Sequence, residues 1–307
     1  MQAGCDFSSV VGLTDGSEST MAVEDDIIPR DIRFGIRENA TRHWYDGDLI
    51  KTFTADGLSI FLPEGERFFI RSLKHFGPLL KDRELAAEIN GYSVQEAYHT
   101  REHEDYNRAM SSLGYDVEAM EKPVIRAMDI VKNPLHRLAV TCAIEHLTAT
   151  LSTVTLRHPE LLAGAAAPYR RLWMWHALEE LEHKAVALDV LKAATPGMSG
   201  VQRYFLRVFA MNGTIIPFLL IFIRNLRIYA RQDGVKTGFG FWMRFLRIVL
   251  VSPGFWRRCM PLVLKYYLPN FDPRNSDDAE LVRKGRDWLA REMGFGVSTD
   301  PTGATAS

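Results

Sequence analysis

The sequence predicts an all-α protein, a four-helix bundle with additional C-terminal helices. Three observations predict it. Four stretches repeat apolar residues every three or four positions, the period of a helix with one buried face. Proline, glycine and capping residues punctuate these stretches at helix-length intervals. Each apolar stripe also carries a glutamate. Two of these open a Glu-x-x-His: Glu96-Ala97-Tyr98-His99 and Glu180-Leu181-Glu182-His183.

Residues 1–26 are rich in Gly, Ser and Asp, the composition of a disordered N-terminus. In 27–62, Pro29, Gly35, Asp46-Gly47 and Asp56-Gly57 act as breakers, which predicts loops with one short helix. Pro63 suits the first turn of a helix, and Gly77-Pro78 ends it. Asp82 caps a second helix that runs to about Leu113, before Gly114. A shorter amphipathic piece covers about 117–131. Asn133-Pro134 opens a third long helix ending at His158-Pro159. Pro168 opens a fourth, which ends near Ala194 before Pro196-Gly197.

The inward stripes read Glu66, Ile70, Leu73 in the first helix, and Leu85, Ile89, Tyr92, Glu96, His99, His103, Tyr106, Met110 in the second. The third gives Leu138, Cys142, Glu145, Ala149, Ser152, Leu156. The fourth gives Tyr169, Trp173, His176, Glu180, His183, Ala187, Val190. A core stripe is apolar by rule, so carboxylates and imidazoles in it call for a physical reason.

Beyond the bundle (27–195) lies a basic, apolar helical extension (196–294). Val208–Ile223 is apolar around Asn212, Gly213, Thr214 and Pro217, too short and interrupted for a clean membrane span. Phe239–Leu250 and Phe255–Leu268 interleave aromatics with Arg and Lys. Residues 271–294 read as a polar C-terminal helix, and 295–307 as a flexible tail.

The chain has 307 residues, 47% apolar and 24% charged, with a formal net charge of −1. That balance hides an asymmetry. From Pro196 to Asn270 there are 11 Lys/Arg and one acid, Asp233, so the segment is +10. Basic charge on the most apolar part of the chain points to a membrane surface or a partner, such as a second copy in a homodimer, rather than nucleic acid. Three scattered cysteines (Cys5, Cys142, Cys259) form no disulfide framework, and no secretory signal is visible. The expectation is a cytoplasmic protein, peripheral at the inner membrane face.

Residues at i and i+3 project from one helix face, so Glu96 with His99, and Glu180 with His183, can each serve one ion. Glu66 and Glu145 add carboxylates from the other two helices. Four glutamates and two histidines in this order form the ligand set of a carboxylate-bridged dinuclear site in a bundle. Hard oxygen with imidazole suits iron, and manganese as well, better than thiolate-built zinc sites. The competing reading is a one-residue phase error that puts Glu96 and Glu180 on a solvated face, with Glu179 and Glu182 as adjacent acids.

Over residues 63–195 the pattern resembles the ferritin-like di-iron carboxylate proteins. More narrowly, the chain resembles a bacterial group labelled "predicted metal-dependent hydrolase". His176, one turn before Glu180, gives His-x-x-x-Glu-x-x-His, similar to the arylamine N-oxygenases. That resemblance implies a seventh ligand at His176, against a plain reading as a packed core histidine. His103, one turn past His99, is a group behind the ligands, a further ligand or part of a substrate channel. His146, beside Glu145, points to a helix interface, and Cys142, Ala149 and Ser152 allow close helix packing.

Two chemistries compete. In one, two iron ions activate dioxygen to oxidise a small lipophilic substrate, with an electron donor as partner. In the other, two metals activate water for hydrolysis. None of the nine histidines forms His-x-His, and Gly-x-Ser-x-Gly is missing, which favours oxygen chemistry. A non-enzymatic metal-binding protein is the third alternative. No catalytic residue beyond the ligands stands out.

Overall fold

A computed structural model describes residues 27–294; the expected disorder of 1–26 and flexibility of 295–307 lie outside the described residues. The described residues are helical and contain no strand, only an isolated bridge between Tyr45 and Ala165.

Four helices carry the acids and histidines: α2 (Leu62–Phe76), α3 (Arg83–Ser112), α5 (Pro134–Arg157) and α6 (Ala167–His183). They follow α1 (Leu49–Ser59), and α4 (Val117–Ile130) connects the two pairs. Helix α2 packs on α3 and α5 on α6, and α2–α5 and α3–α6 contacts join the pairs. Local chemistry sets the starts. Asp82 accepts from the backbone amides of Glu84 and Leu85, and Asn133 from that of His136. These caps satisfy amides that lack helical partners.

Two expectations change in this part of the chain. Asp56-Gly57, read as a breaker, lies inside α1. Tertiary partners override the turn chemistry: Asp56 accepts hydrogen bonds from Trp44, Tyr106 and Tyr229. Gly57 is required by close approach, since a Cβ there would lie 2.9 Å from the Phe222 ring. The fourth long helix is also interrupted. It stops at His183, turns through Lys184-Ala185, and resumes as α7 (Val186–Ala194).

The extension starts with α8 (Gly200–Gln232), opened by a Ser199–Gln202 capping box. The helix runs unbroken through Pro217, where the sequence suggested an interruption. Gly213, one turn earlier, is exposed, so the carbonyl that Pro217 cannot bond is open to solvent. Then follow α9 (Phe239–Leu246) with a π-helical turn at Arg247–Val251, α10 (Phe255–Lys265) and α11 (Ala279–Met293). One face of α8 enters the main core. Phe222, Leu226 and Tyr229 bury with Phe53, Tyr106 and Trp175. Helix α10 packs on α5, where His146 Nε2 lies 3.0 Å from the Leu262 carbonyl, the helix interface expected of it.

Candidate metal centre

The acids and histidines of all four stripes are buried, while Ile70, Leu156 and Trp173 of the same stripes are half-buried. Glu96 and His99 are fully buried, and Glu66, Glu145, Glu180 and His183 are each about 1% exposed. A solvated face for Glu96 or Glu180 is therefore excluded. His176 is 4% exposed and His103 fully buried.

Two groups of donors converge. One atom each from Glu96, His99, Glu180 and His183 lie within 4.8 Å of one another, as do atoms from Glu66, His99 and His176. The groups share His99, so the two sets are neighbours. Glu145 lies outside both but touches the first, with Oε2 3.3 Å from His183 Nδ1. The other nitrogen of His183 is 3.1 Å from Glu96 Oε1. His176 Nε2 is 3.3 Å from Glu180 Oε1.

Most of these buried atoms lack hydrogen bonds. Both oxygens of Glu66 and of Glu96, Oε2 of Glu145 and of Glu180, Nδ1 of His99 and both nitrogens of His183 have none. A buried ionised carboxylate without a partner is among the costliest groups a fold can contain. The protonation equilibria respond accordingly. Burial, reinforced by Glu96, pushes the Glu66 carboxyl well above its usual range. Burial pushes Glu96 up to about 8 despite His183. Burial opposes charge on His183, but Glu145 and Glu96 outweigh it and hold the ring well above its usual value. His99, buried and beside His176 and His183, goes the other way and is held neutral. These are opposite shifts in groups a few ångströms apart, as expected of strongly interacting buried acids and imidazoles.

Around the cluster sits a hydrogen-bonded shell of which the sequence reading named His103 but assigned no role to Arg30, Gln95, Glu179 and Glu182. His99 Nε2 lies 3.2 Å from Glu179 Oε2, and its Nδ1, which has no hydrogen bond, lies 3.7 Å from Glu180 Oε1. Glu179 in turn meets Arg30 at 3.0 Å. Glu182 takes Arg30, Gln95 and Arg286 at 2.7, 2.9 and 2.8 Å. Tyr92 donates to Glu145. The available signal is the acid run Glu179, Glu180, Glu182 among Leu178 and Leu181, too dense for one solvated face. His103 Nε2 is 3.2 Å from His176 Nδ1, and its other nitrogen is 3.0 Å from Ser59 Oγ. It therefore stands behind His176. Cys142 is turned away, donating to the Ala187 carbonyl.

The donor set fits divalent first-row metals. It is all carboxylate and imidazole, inward-facing and unsatisfied, and held by oriented partners on its outer side. A family model described as "Predicted metal-dependent hydrolase" matches residues 28–277. The chain belongs to this family. The match spans every residue of the cluster and also α8, α9 and α10, so the basic extension is part of the family's common body. No curated protein and no solved structure matches the chain.

Proposed function

We propose that Glu66, Glu96, His99, Glu145, His176, Glu180 and His183 hold two iron ions in a ferritin-like four-helix bundle. In this reading the centre oxidises a small lipophilic substrate with dioxygen. Manganese fits the same donors. The observation that carries the proposal is the set of buried carboxylate oxygens from four helices that no hydrogen bond satisfies, which two divalent cations would neutralise.

The chemistry a carboxylate-held iron pair supplies is dioxygen activation, with an external electron donor restoring the ferrous state. The chain's own residues do the rest. Glu179 fixes the tautomer and angle of His99, and Arg30 holds Glu179 in place. Tyr92 orients Glu145. His103 holds the outer nitrogen of His176. An apolar cavity that reaches His176 keeps bulk water from the reacting side.

The second reading is metal-assisted hydrolysis, favoured by the family description. Against it, the cavity wall is mostly apolar, and two of its hydroxyls are already engaged. Thr148 and Thr155 already donate to carbonyls of their own helix. One experiment separates the two. The protein is loaded anaerobically with ferrous iron, or separately with zinc or manganese, and offered lipophilic amines, acyl compounds and esters. Oxygen uptake with the iron form, and no ester cleavage with any metal, supports the oxidase. Ester cleavage without oxygen uptake supports the hydrolase.

A further inference from the structure

A cavity of about 340 Å³ begins at the cluster and ends at the protein surface. The volume lies within the range of ligand sites. Its lining includes His176 and Ala177 on α6, then Ile144 and Leu147 on α5, then Phe218 on α8 and Trp256 on α10. Other lining residues are at the surface: Leu219 is 46% exposed and Met260 50%. Thr148, Thr155 and Thr214 turn their hydroxyls onto their own helices, so they present methyl groups to the cavity.

The surface around the open end is also apolar. Phe209, Ile216 and Leu220 form one stripe of α8, and Met260 and Leu264 on α10, with Leu268 just beyond it, are apolar too; each is at least half exposed. Basic side chains are interspersed. Of the 11 Lys/Arg between Pro196 and Asn270, Arg244 alone pairs with a carboxylate, Asp48, among the described residues. Arg203, Arg224 and Arg257 bond backbone carbonyls, which leaves their positive charge uncompensated.

We propose that this cavity is a channel for the hydrocarbon chain of a lipid, drawn from an anionic bilayer on which the face of α8 and α10 rests. The inference rests on the metal-centre reading for what happens at the inner end, and on the cavity and face alone for the rest. Charge complementarity selects the occupant of the face. A second copy across a two-fold axis would bring this basic face against itself. An anionic bilayer meets both its charge and its apolar area. By length and composition α8 could cross a membrane. Its charge-free stretch, 208–223, is roughly 24 Å long at 1.5 Å per residue, short of a core of about 30 Å. Its other face is packed into the protein through Met211, Phe222 and Leu226. It therefore lies along the membrane surface rather than across it.

The test has two arms, both on the full chain. In the first, trans-parinaric acid, a fluorescent fatty acid, is titrated into metal-free and metal-loaded protein. Saturable binding at one per chain is expected in both forms. Gly213→Trp starts from an exposed lining position where a Cβ meets nothing within 4 Å, so the substitution begins without a backbone clash. That variant and Ile215→Trp are expected to weaken binding at least tenfold with helix content and metal content unchanged. Absence of saturable binding, or equal binding by both variants, overturns the channel. Binding by protein that takes up no metal leaves the channel standing and sinks the metal reading, so the two failures are distinct.

In the second arm, the protein is sedimented with phosphatidylcholine vesicles, with and without phosphatidylglycerol, at low and high salt. Binding to the anionic vesicles is expected, weaker at high salt and reduced at least tenfold by Arg247→Glu with Lys265→Glu, two exposed positions. Protein that stays in the supernatant throughout and is dimeric by light scattering overturns the membrane face in favour of a contact between copies.

Discussion

Two buried acid sites in this molecule differ in one respect, and the difference separates a folding element from a binding site. Asp56 and Glu66 are each 1% exposed. Asp56 accepts from the Trp44 indole and the Tyr106 and Tyr229 hydroxyls at 2.8, 2.7 and 2.8 Å, so both its oxygens are satisfied by the fold. Glu66 has no donor on either oxygen, and Glu96 has only the imidazoles of the cluster, with His183 at 3.1 Å. The first acid ties α1 to α3 and α8. The second needs a partner that the chain does not supply. A buried carboxylate is thus diagnostic of a ligand only after its donors have been counted.

The largest expected effect lies on the satisfied side. Asp56→Leu leaves three donors without an acceptor, at about 1–3 kcal/mol each. Loss of at least about 3 kcal/mol in denaturant unfolding is expected, with metal content per folded chain unchanged. Parallel loss of metal would join the two sites that the comparison separates.

Asp56 also sets a pH dependence. Burial pushes its carboxyl from 3.8 to about 6 against the pull of its three donors. Between those values the folded chain holds a proton that the unfolded chain has released, so stability falls as pH rises through this window. The contribution is roughly 3 kcal/mol. Measured relative to Asp56→Asn, which cannot titrate, wild-type stability is expected to fall by about that amount from pH 3 to pH 7, with about 2 kcal/mol of it lost between pH 4 and pH 6. A flat difference would mean that the donors, not burial, control this acid.

Glu66→Leu probes the unsatisfied side, with the opposite sign. Removing a buried acid that has no donor is expected to stabilise the metal-free protein by about 1–3 kcal/mol while weakening metal binding. Destabilisation of the metal-free form would show that Glu66 is a structural acid like Asp56. The smallest effect is at the outer shell. Glu179→Gln loosens His99, and a 10- to 100-fold loss of metal affinity is expected by competition titration. Unchanged affinity would remove Glu179 from the centre.

The inner cluster was legible because its spacing is local. Glu96 with His99, and Glu180 with His183, repeat one helical turn, and the apolar residues around them set the phase. Of the outer shell only His103, one turn past His99, was legible; the rest was not, because its pairings are distant. Arg30 meets Glu179 across 149 positions and Arg286 meets Glu182 across 104. The same cause explains the misread Asp56-Gly57. Its dipeptide chemistry says turn, while the groups that make it helical come from α3 and α8. The break after His183 and the unbroken course of α8 through Pro217 likewise depend on context that local pattern does not carry.

Metal stoichiometry tests the central claim most directly. Wild-type protein and Glu96→Ala, both reconstituted anaerobically with ferrous iron and desalted, are analysed by inductively coupled plasma mass spectrometry, with helix content checked by circular dichroism. Two ions per wild-type chain, and well under two in the folded variant, are the expected result. Two ions retained in the variant, or fewer than one in the wild type, would contradict it.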